Sequence, residues 1–370
     1  EVQWTSLRRF LTVDFSRIKR STIMKKIAFI IMGLRNGGAE RVVANLANEY
    51  SRRRDCSFYL ITGKSNKEDY ALKDEVNRAC ILSGNLLKDT YKLRKFLIQK
   101  RINCAVGIDL YANWCVCLAN IKINTKMIIS ERNAPKHNLI SAKSKLLIKL
   151  TYWKADAYVF QTNQAKGCYS KLIRERGIVI HNPVKSNLPL KSQKECKKIV
   201  AVGRLNPQKN YPMLLKAFAK VQKDYPEYKL EIYGQGEKKQ ELLQLINDLK
   251  LNSKVLLCGY CADVHNEIKN AQIFVMSSDC EGMPNSLMEA MAMGMPVICT
   301  DCPAGGPAEL IRNGINGILT PVRDSDKMAE NIKKLINNKE LRDHLGEEAF
   351  KLRETHSVKN IIRQWDELLL

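Results

Sequence analysis

Ser277–Ala292 reads SSDCEGMPNSLMEAMA. It follows Ala271-Gln272-Ile273-Phe274-Val275-Met276, an apolar run of strand length, and opens into a segment whose apolar residues Leu287, Ala290 and Met291 recur at helical spacing. Strand, turn and helix thus succeed one another. In the turn, Gly282 lets the backbone approach a ligand closely, and Pro284 fixes φ for the start of a helix. The free amides of that start, near Asn285, Ser286 and Leu287, favour a phosphate or a sugar oxygen. Glu281 and Glu289 flank the turn. Carboxylates repel a phosphate, so sugar hydroxyls on either side of a diphosphate are the partners that suit them.

Working outward, Ile199-Val200-Ala201-Val202 leads to Gly203-Arg204-Leu205-Asn206-Pro207-Gln208-Lys209-Asn210. Arg204 and Lys209 can project from one loop at the top of a strand. Two cations there can hold a diphosphate and stabilise the charge that grows as it leaves. Leu230–Tyr233 leads to Gly234-Gln235-Gly236-Glu237, Val255–Leu257 to Gly259-Tyr260, and Pro296–Cys299 to a loop with the pair Gly305-Gly306. Near the start, Ile27–Met32 reads as a buried strand, followed by GLRNGGAERVV, in which Gly37 and Gly38 let a helix start approach a ligand. G-x-G-x-x-G is absent, which makes a nicotinamide enzyme a weak competitor. Phe58–Thr62, Asp89–Lys100, Cys104–Ile108 and Met127–Ser130 alternate between strand and helix, arguing for a parallel sheet with helices on both faces. Ligands gather at the carboxyl ends of such strands, and Ser130-Glu131-Arg132-Asn133-Ala134-Pro135 stands at one.

A length of 370 residues argues for two domains. The mean hydropathy of −0.29 fits a soluble globular chain, and no apolar run approaches the roughly 20 residues of a membrane span. Net charge is +23, and residues 1–180 carry 34 Lys and Arg against 14 Asp and Glu. That field attracts anionic partners. Neither a C2H2 pattern nor RNP-like aromatic segments are present, so lipid headgroups and phosphates fit better than nucleic acid. Two basic segments, Leu86–Arg101 and Lys143–Lys154, interleave Leu93, Phe96, Leu97, Leu146, Leu147, Leu150 and Trp153 with Lys88, Lys92, Arg94, Lys95, Lys143, Lys145 and Lys149, as helices lying on an anionic membrane do. Ordinary half-buried helices would read the same way.

Twelve cysteines without a secretory signal suggest a reducing cytosol. The pairs Cys258/Cys261 and Cys299/Cys302 have zinc-knuckle spacing but begin at strand ends, and chance pairs are expected in a Cys-rich chain. Residues 1–23 are basic and are expected to lie outside the fold.

Three motifs, GGAER at 37–41, GRL-x-x-x-KN at 203–210 and E-x7-E at 281–289, resemble those of the retaining, nucleotide-sugar-dependent glycosyltransferases of family 4 (glycosyl transferases group 1), of bacterial surface-polysaccharide type. The resemblance spans nearly everything from Lys25 onward. It implies the α/β GT-B fold: two Rossmann-like domains facing a cleft, at 24–183 and 184–355, and a last helix at 356–370 crossing back to the first domain, with Trp365 and Leu368 as anchors. It also implies roles. Arg204 and Lys209 hold the donor phosphates, Glu281 orients the sugar and stabilises its positive charge, and Glu289 anchors the ribose. Gly37, Gly38, Gly234, Gly236, Gly282, Met283, Pro284, Asn285, Ser286 and Leu287 border the donor. Many relatives carry a histidine beside the reacting sugar where this chain has Arg132, with His137 further on, so Glu131 and Arg132 become acceptor-side candidates.

The implied reaction moves a hexose or N-acetylhexosamine, with retention and without a metal or cofactor, from a nucleoside diphosphate sugar, UDP by family habit, to a polyprenyl diphosphate-linked saccharide. Such an enzyme works on the inner face of the cytoplasmic membrane in O-antigen, capsule or exopolysaccharide synthesis. The competing reading is a binding protein that kept the fold without catalysis.

Overall fold

The computed structural model describes residues 24–35, 37–132 and 142–370. The expectations placed on residues 1–23, on His137 and on the side chains of Lys143 and Lys145 lie outside what it describes. Within the described residues two parallel sheets form. The first holds β1 (Lys25–Ile30), β2 (Cys56–Thr62), β3 (Asn77–Cys80), β4 (Cys104–Gly107), β5 (Lys126–Glu131), β6 (Ala157–Phe160) and β7 (Gly177–Val179), in the order β3-β2-β1-β4-β5-β6-β7. The second holds β8 (Cys196–Val202), β9 (Lys229–Tyr233), β10 (Val255–Gly259), β11 (Ala271–Met276), β12 (Val297–Thr300) and β13 (Ile318–Thr320), in the order β10-β9-β8-β11-β12-β13.

Strands of this kind are covered on both faces, so their inner residues are apolar without alternation. Ile27, Ala28, Phe29 and Ile30 are all fully buried, and hydrophobic clusters lie on either side of each sheet. In each sheet the strand order reverses direction once, between β1 and β4 and between β8 and β11, and the crevice of a parallel sheet opens at that point. The reversal makes β8 and β11 neighbours, with Phe274 opposite Val200.

The C-terminal helix Val358–Leu369 packs on the first sheet. Ile361, Trp365 and Leu369 are buried in the cluster that contains Phe29 and Tyr50, with Leu368 partly buried against it. The Trp365 and Phe29 ring centroids are 5.5 Å apart, and the Tyr50 hydroxyl donates to Asp366 at 2.8 Å. Where this helix begins, His356 stacks on His181, two residues beyond β7, with ring nitrogens 2.8 Å apart.

Helices α1 (Gly38–Tyr50), α2 (Leu86–Lys100), α3 (Leu110–Ala119) and α4 (Ala142–Thr151) serve the first sheet. Asn85 caps α2 by accepting from the Lys88 amide, and Asp109 caps α3 through that of Ala112. The apolar residues of the basic helices divide differently from the sequence expectation. Leu93 and Leu97 lie in the core, one turn apart on the stripe that also buries Asp89. The outward residues of α2 are instead Leu87, Tyr91 and Ile98, whereas on and just after α4 three of the residues the sequence singled out, Leu146, Leu150 and Trp153, are exposed. Both helices pack against α3.

Candidate active site

Adjacent strands deliver the two loops that matter most. The loop after β8 and the loop after β11 are stitched together. Ser277 Oγ donates to the Lys209 carbonyl at 2.8 Å, the Asp279 amide to the Gln208 carbonyl at 2.8 Å, and Asn210 Nδ2 to Asp279 Oδ1 at 2.8 Å. The consequence is a charge-assisted bond, Lys209 Nζ to Glu281 Oε1, at 2.6 Å. Glu281 is 7% exposed, whereas Arg204, at the other end of the Gly203–Asn210 loop, stands exposed. Gly234 and Gly236 back onto this loop. A Cβ on Gly234 would meet the Gly203 carbonyl oxygen at 1.9 Å, and one on Gly236 the Leu205 carbonyl oxygen at 2.3 Å. Their bareness lets the turn after β9 lie directly on the cation-bearing loop, sealed by the Leu205 amide donating to Gln235 O at 2.9 Å.

The second carboxylate is held from both domains. Helix Asn285–Ala292 carries Glu289, whose Oε1 accepts from Arg41 Nη2 at 2.6 Å and whose Oε2 lies 3.1 Å from His265 Nε2. Arg41 belongs to the GGAER segment of the first domain. Beside it, Asn285 Nδ2 donates to the Gly38 carbonyl at 3.3 Å, and a Cβ on Gly38 would come within 3.1 Å of that amide. Gly37 is the N-cap of α1. Asn182 adds a further tie, donating to Asn285 Oδ1 at 2.9 Å and to the Met283 carbonyl at 3.3 Å. Met283, Pro284 and Leu287 are buried, so those positions offer a ligand only their backbone, while Asn285 and Ser286 are half-buried.

Two acceptor-side candidates separate. Glu131 turns into the first domain, where its Oε1 accepts from the Tyr152 hydroxyl at 2.6 Å and Asn113 Nδ2 at 3.0 Å. Burial pushes its carboxyl up to about 6. Arg132 is also buried but faces the seam between the domains, and its Nη1 donates to Asn182 Oδ1 at 3.0 Å. A surface ion pair between these neighbours does not form, because each is buried on its own side.

Sequence reasoning missed Arg41 and His265 as partners of Glu289, Asn182 as the tie between domains, and Asp109. Asp109 follows β4 and accepts the amides of Met32 and Ala112, both at 2.7 Å; burial raises its carboxyl pKa. Its place at a strand's carboxyl end was the available signal. Among the described residues no group of three His, Cys, Asp or Glu side chains could hold a metal ion. Cys299 and Cys302 are buried, and burial pushes the Cys302 thiol up to about 12.

The family model for glycosyl transferases group 1 matches residues 187–352, which contain both stitched loops and both carboxylates. An uncharacterized glycosyltransferase of Haemophilus influenzae is 30% identical over 362 residues, covering 94% of this chain and 100% of that one. This chain belongs to the glycosyltransferases, with a group 1 domain at 187–352. Another similar member is the N-acetylgalactosamine-N,N'-diacetylbacillosaminyl-diphospho-undecaprenol 4-alpha-N-acetylgalactosaminyltransferase of Campylobacter jejuni, 30% identical over 86% of this chain and 92% of that one. Among solved structures, HepE from Anabaena in complex with UDP and glucose matches with a TM-score of 0.78 at 20% identity, covering 93% of this chain and 99% of that one. At that identity the likeness speaks for the fold. This glycosyltransferase therefore has the GT-B arrangement, two parallel-sheet domains with the stitched loops at the carboxyl ends of the second sheet's strands.

Proposed function

We propose that this glycosyltransferase moves a hexose or N-acetylhexosamine, with retention of configuration, from a UDP-sugar to a polyprenyl diphosphate-linked saccharide during bacterial surface-polysaccharide synthesis. The observation that carries the reading is the Lys209–Glu281 pair at 2.6 Å, set beside exposed Arg204 where β8 and β11 meet. A cation and a carboxylate in contact can divide the work of a bond that breaks into an anion and an oxocarbenium-like sugar. The donor diphosphate draws Lys209 and Arg204 to itself. Glu281 then faces the sugar carbon, and the amides opening helix Asn285–Ala292 take a remaining oxygen.

In that scheme the acceptor oxygen forms its bond to C1 on the face from which the C1–O bond to the diphosphate breaks, and the acceptor's proton passes to the leaving phosphate oxygen. Glu289 accepts hydrogen bonds from the ribose hydroxyls once Arg41 releases its carboxylate. Two cations carry the charge that a metal ion carries elsewhere. The lipid-linked acceptor is supported by the diphospho-undecaprenol in the name of the Campylobacter relative and by the outward apolar residues of α2 and α4 among lysines. Basic amphipathic surfaces of that kind lie on anionic membranes, each Lys or Arg near the surface adding about 1 kcal/mol.

The test is nucleoside diphosphate release from UDP- and GDP-sugars with bacterial membrane lipid extract as acceptor, followed by the anomeric configuration of the product. The reading expects release from one donor, dependent on lipid, with the donor's configuration kept. Release without lipid, or an inverted product, would refute it.

A further inference from the structure

At the carboxyl end of β5 a guanidinium is buried with no carboxylate paired to it among the described residues. Arg132 is 8% exposed, and burial pushes its pKa down to about 10. Glu131, next in the chain, points the other way, to Tyr152 and Asn113. Among the described residues Nη1 alone is engaged: it donates to Asn182, and Gln161 in its alternative amide orientation also reaches Nη1 and the Arg132 carbonyl. Among the described residues, Nε and Nη2 have no hydrogen-bond partner.

Those two nitrogens are a matched pair. Their N–H bonds run parallel along one edge of the guanidinium, the fork that takes two oxygens of a carboxylate or phosphate at once. A buried cation left unpaired is strongly unfavourable, more so than the same cation paired or solvated. The edge lies beside the donor loop. Asn182, which holds Nη1, also holds Met283 and Asn285, and a Cβ on Gly282 would come within 2.8 Å of the Arg132 carbonyl. The diphosphate cations, Arg204 and Lys209, are on a separate loop of the second domain.

We propose that the Nε/Nη2 edge of Arg132 receives an oxyanion carried on the sugar part of a substrate, a carboxylate or phosphate, making this an enzyme of acidic saccharides. The inference rests on the cleft being a glycosyl-transfer site and adds a charge to one of its two sugars. The sugar enters when the domains part along the seam that Asn182 and Gly282 close. Replacing Arg132 by lysine keeps a charge but loses the fork; replacing it by methionine loses both.

Calorimetric titration of the full chain with matched probes tests the donor arm: UDP, UDP-glucose with UDP-glucuronate, and UDP-galactose with UDP-galacturonate. If the anion is on the donor, one uronate binds at least tenfold tighter than its neutral twin, Arg132→Lys loses most of that preference, and UDP alone binds within twofold of wild type. If it is on the acceptor, the donor pairs bind alike. Arg132→Lys then raises KM for a uronate-bearing or phosphorylated lipid-linked saccharide at least tenfold more than it raises KM for a neutral one. Absence of any acidic preference in wild-type protein, in both arms, overturns the proposal even if neither variant folds. So does a variant that weakens UDP and every sugar equally. A uronate preference in binding without transfer to any acceptor would leave the oxyanion site standing while refuting the transfer reading.

Discussion

Glu281 and Glu131 each lie just beyond or at the carboxyl end of a central strand, and each is less than a tenth exposed, yet they are held in opposite ways. Glu281 meets a cation, Lys209, on a loop that opens to the cleft. Glu131 meets only neutral donors, Tyr152 and Asn113, inside the first domain, and is pushed up to about 6. Burial and strand-end position are therefore shared by the proposed site residue Glu281 and an interior one. What separates them is the counter-charge and the direction the side chain takes from its backbone.

The most forceful way to break the comparison is to remove the cation. Lys209→Met should lower transfer by about 100-fold to 1000-fold, the usual cost of losing one stabiliser of developing charge, with the fold intact by circular dichroism. Glu289→Ala comes next. Losing a charged acceptor for ribose hydroxyls is expected to weaken UDP binding by roughly tenfold to 100-fold in calorimetry.

Glu131 should answer to pH. Its folded pKa is raised, from 4.5 to about 6, so its contribution to stability is fully present below about 4.5 and is lost as pH rises through about 6. The loss is on the order of 2 kcal/mol for a shift of this size. The wild-type-minus-Glu131→Gln difference in unfolding free energy should therefore slope between those two pH values and be flat above them. A difference that is flat throughout would mean that Glu131 is solvated. The smallest expected effect is at Arg41. Its pair with Glu289 is partly exposed, with the Arg41 side chain 32% accessible, so freeing Glu289 by Arg41→Ala should tighten UDP by about twofold to fivefold.

Much of this was legible in the sequence where the signal is local. GRL-x-x-x-KN and E-x7-E each announce a strand end, a turn and a helix start, and those segments do form β8, β11 and helix Asn285–Ala292. What the chain could not announce is which strand ends become neighbours. Only the order β8-β11 brings Lys209 to Glu281, 72 positions on, and only domain packing brings Arg41 to Glu289, 248 positions on. The face of Glu131 was not readable either, because Ile128 and Ser130 of the opposite parity are buried as fully as Met127 and Ile129 in a strand covered on both faces. The basic helix α2 misled for a different reason. Its apolar residues lie on both sides, so spacing alone did not decide whether Leu93 and Leu97 or Leu87 and Tyr91 would meet the core. Helix α3, apolar nearly all round, gave no amphipathic period to read, and β3 and β13 are short strands at sheet edges.

The central claim is that Glu281 carries transfer and Glu131 carries structure. Its most direct test is to measure kcat for Glu281→Gln and Glu131→Gln side by side, with the donor and lipid acceptor that turn over fastest and with UDP affinity as control. The expected result is a fall of at least about 100-fold for Glu281→Gln and a change within about threefold for Glu131→Gln, with UDP bound normally by both. A Glu281→Gln protein that turns over like wild type, or a folded Glu131→Gln protein that does not turn over, would contradict it.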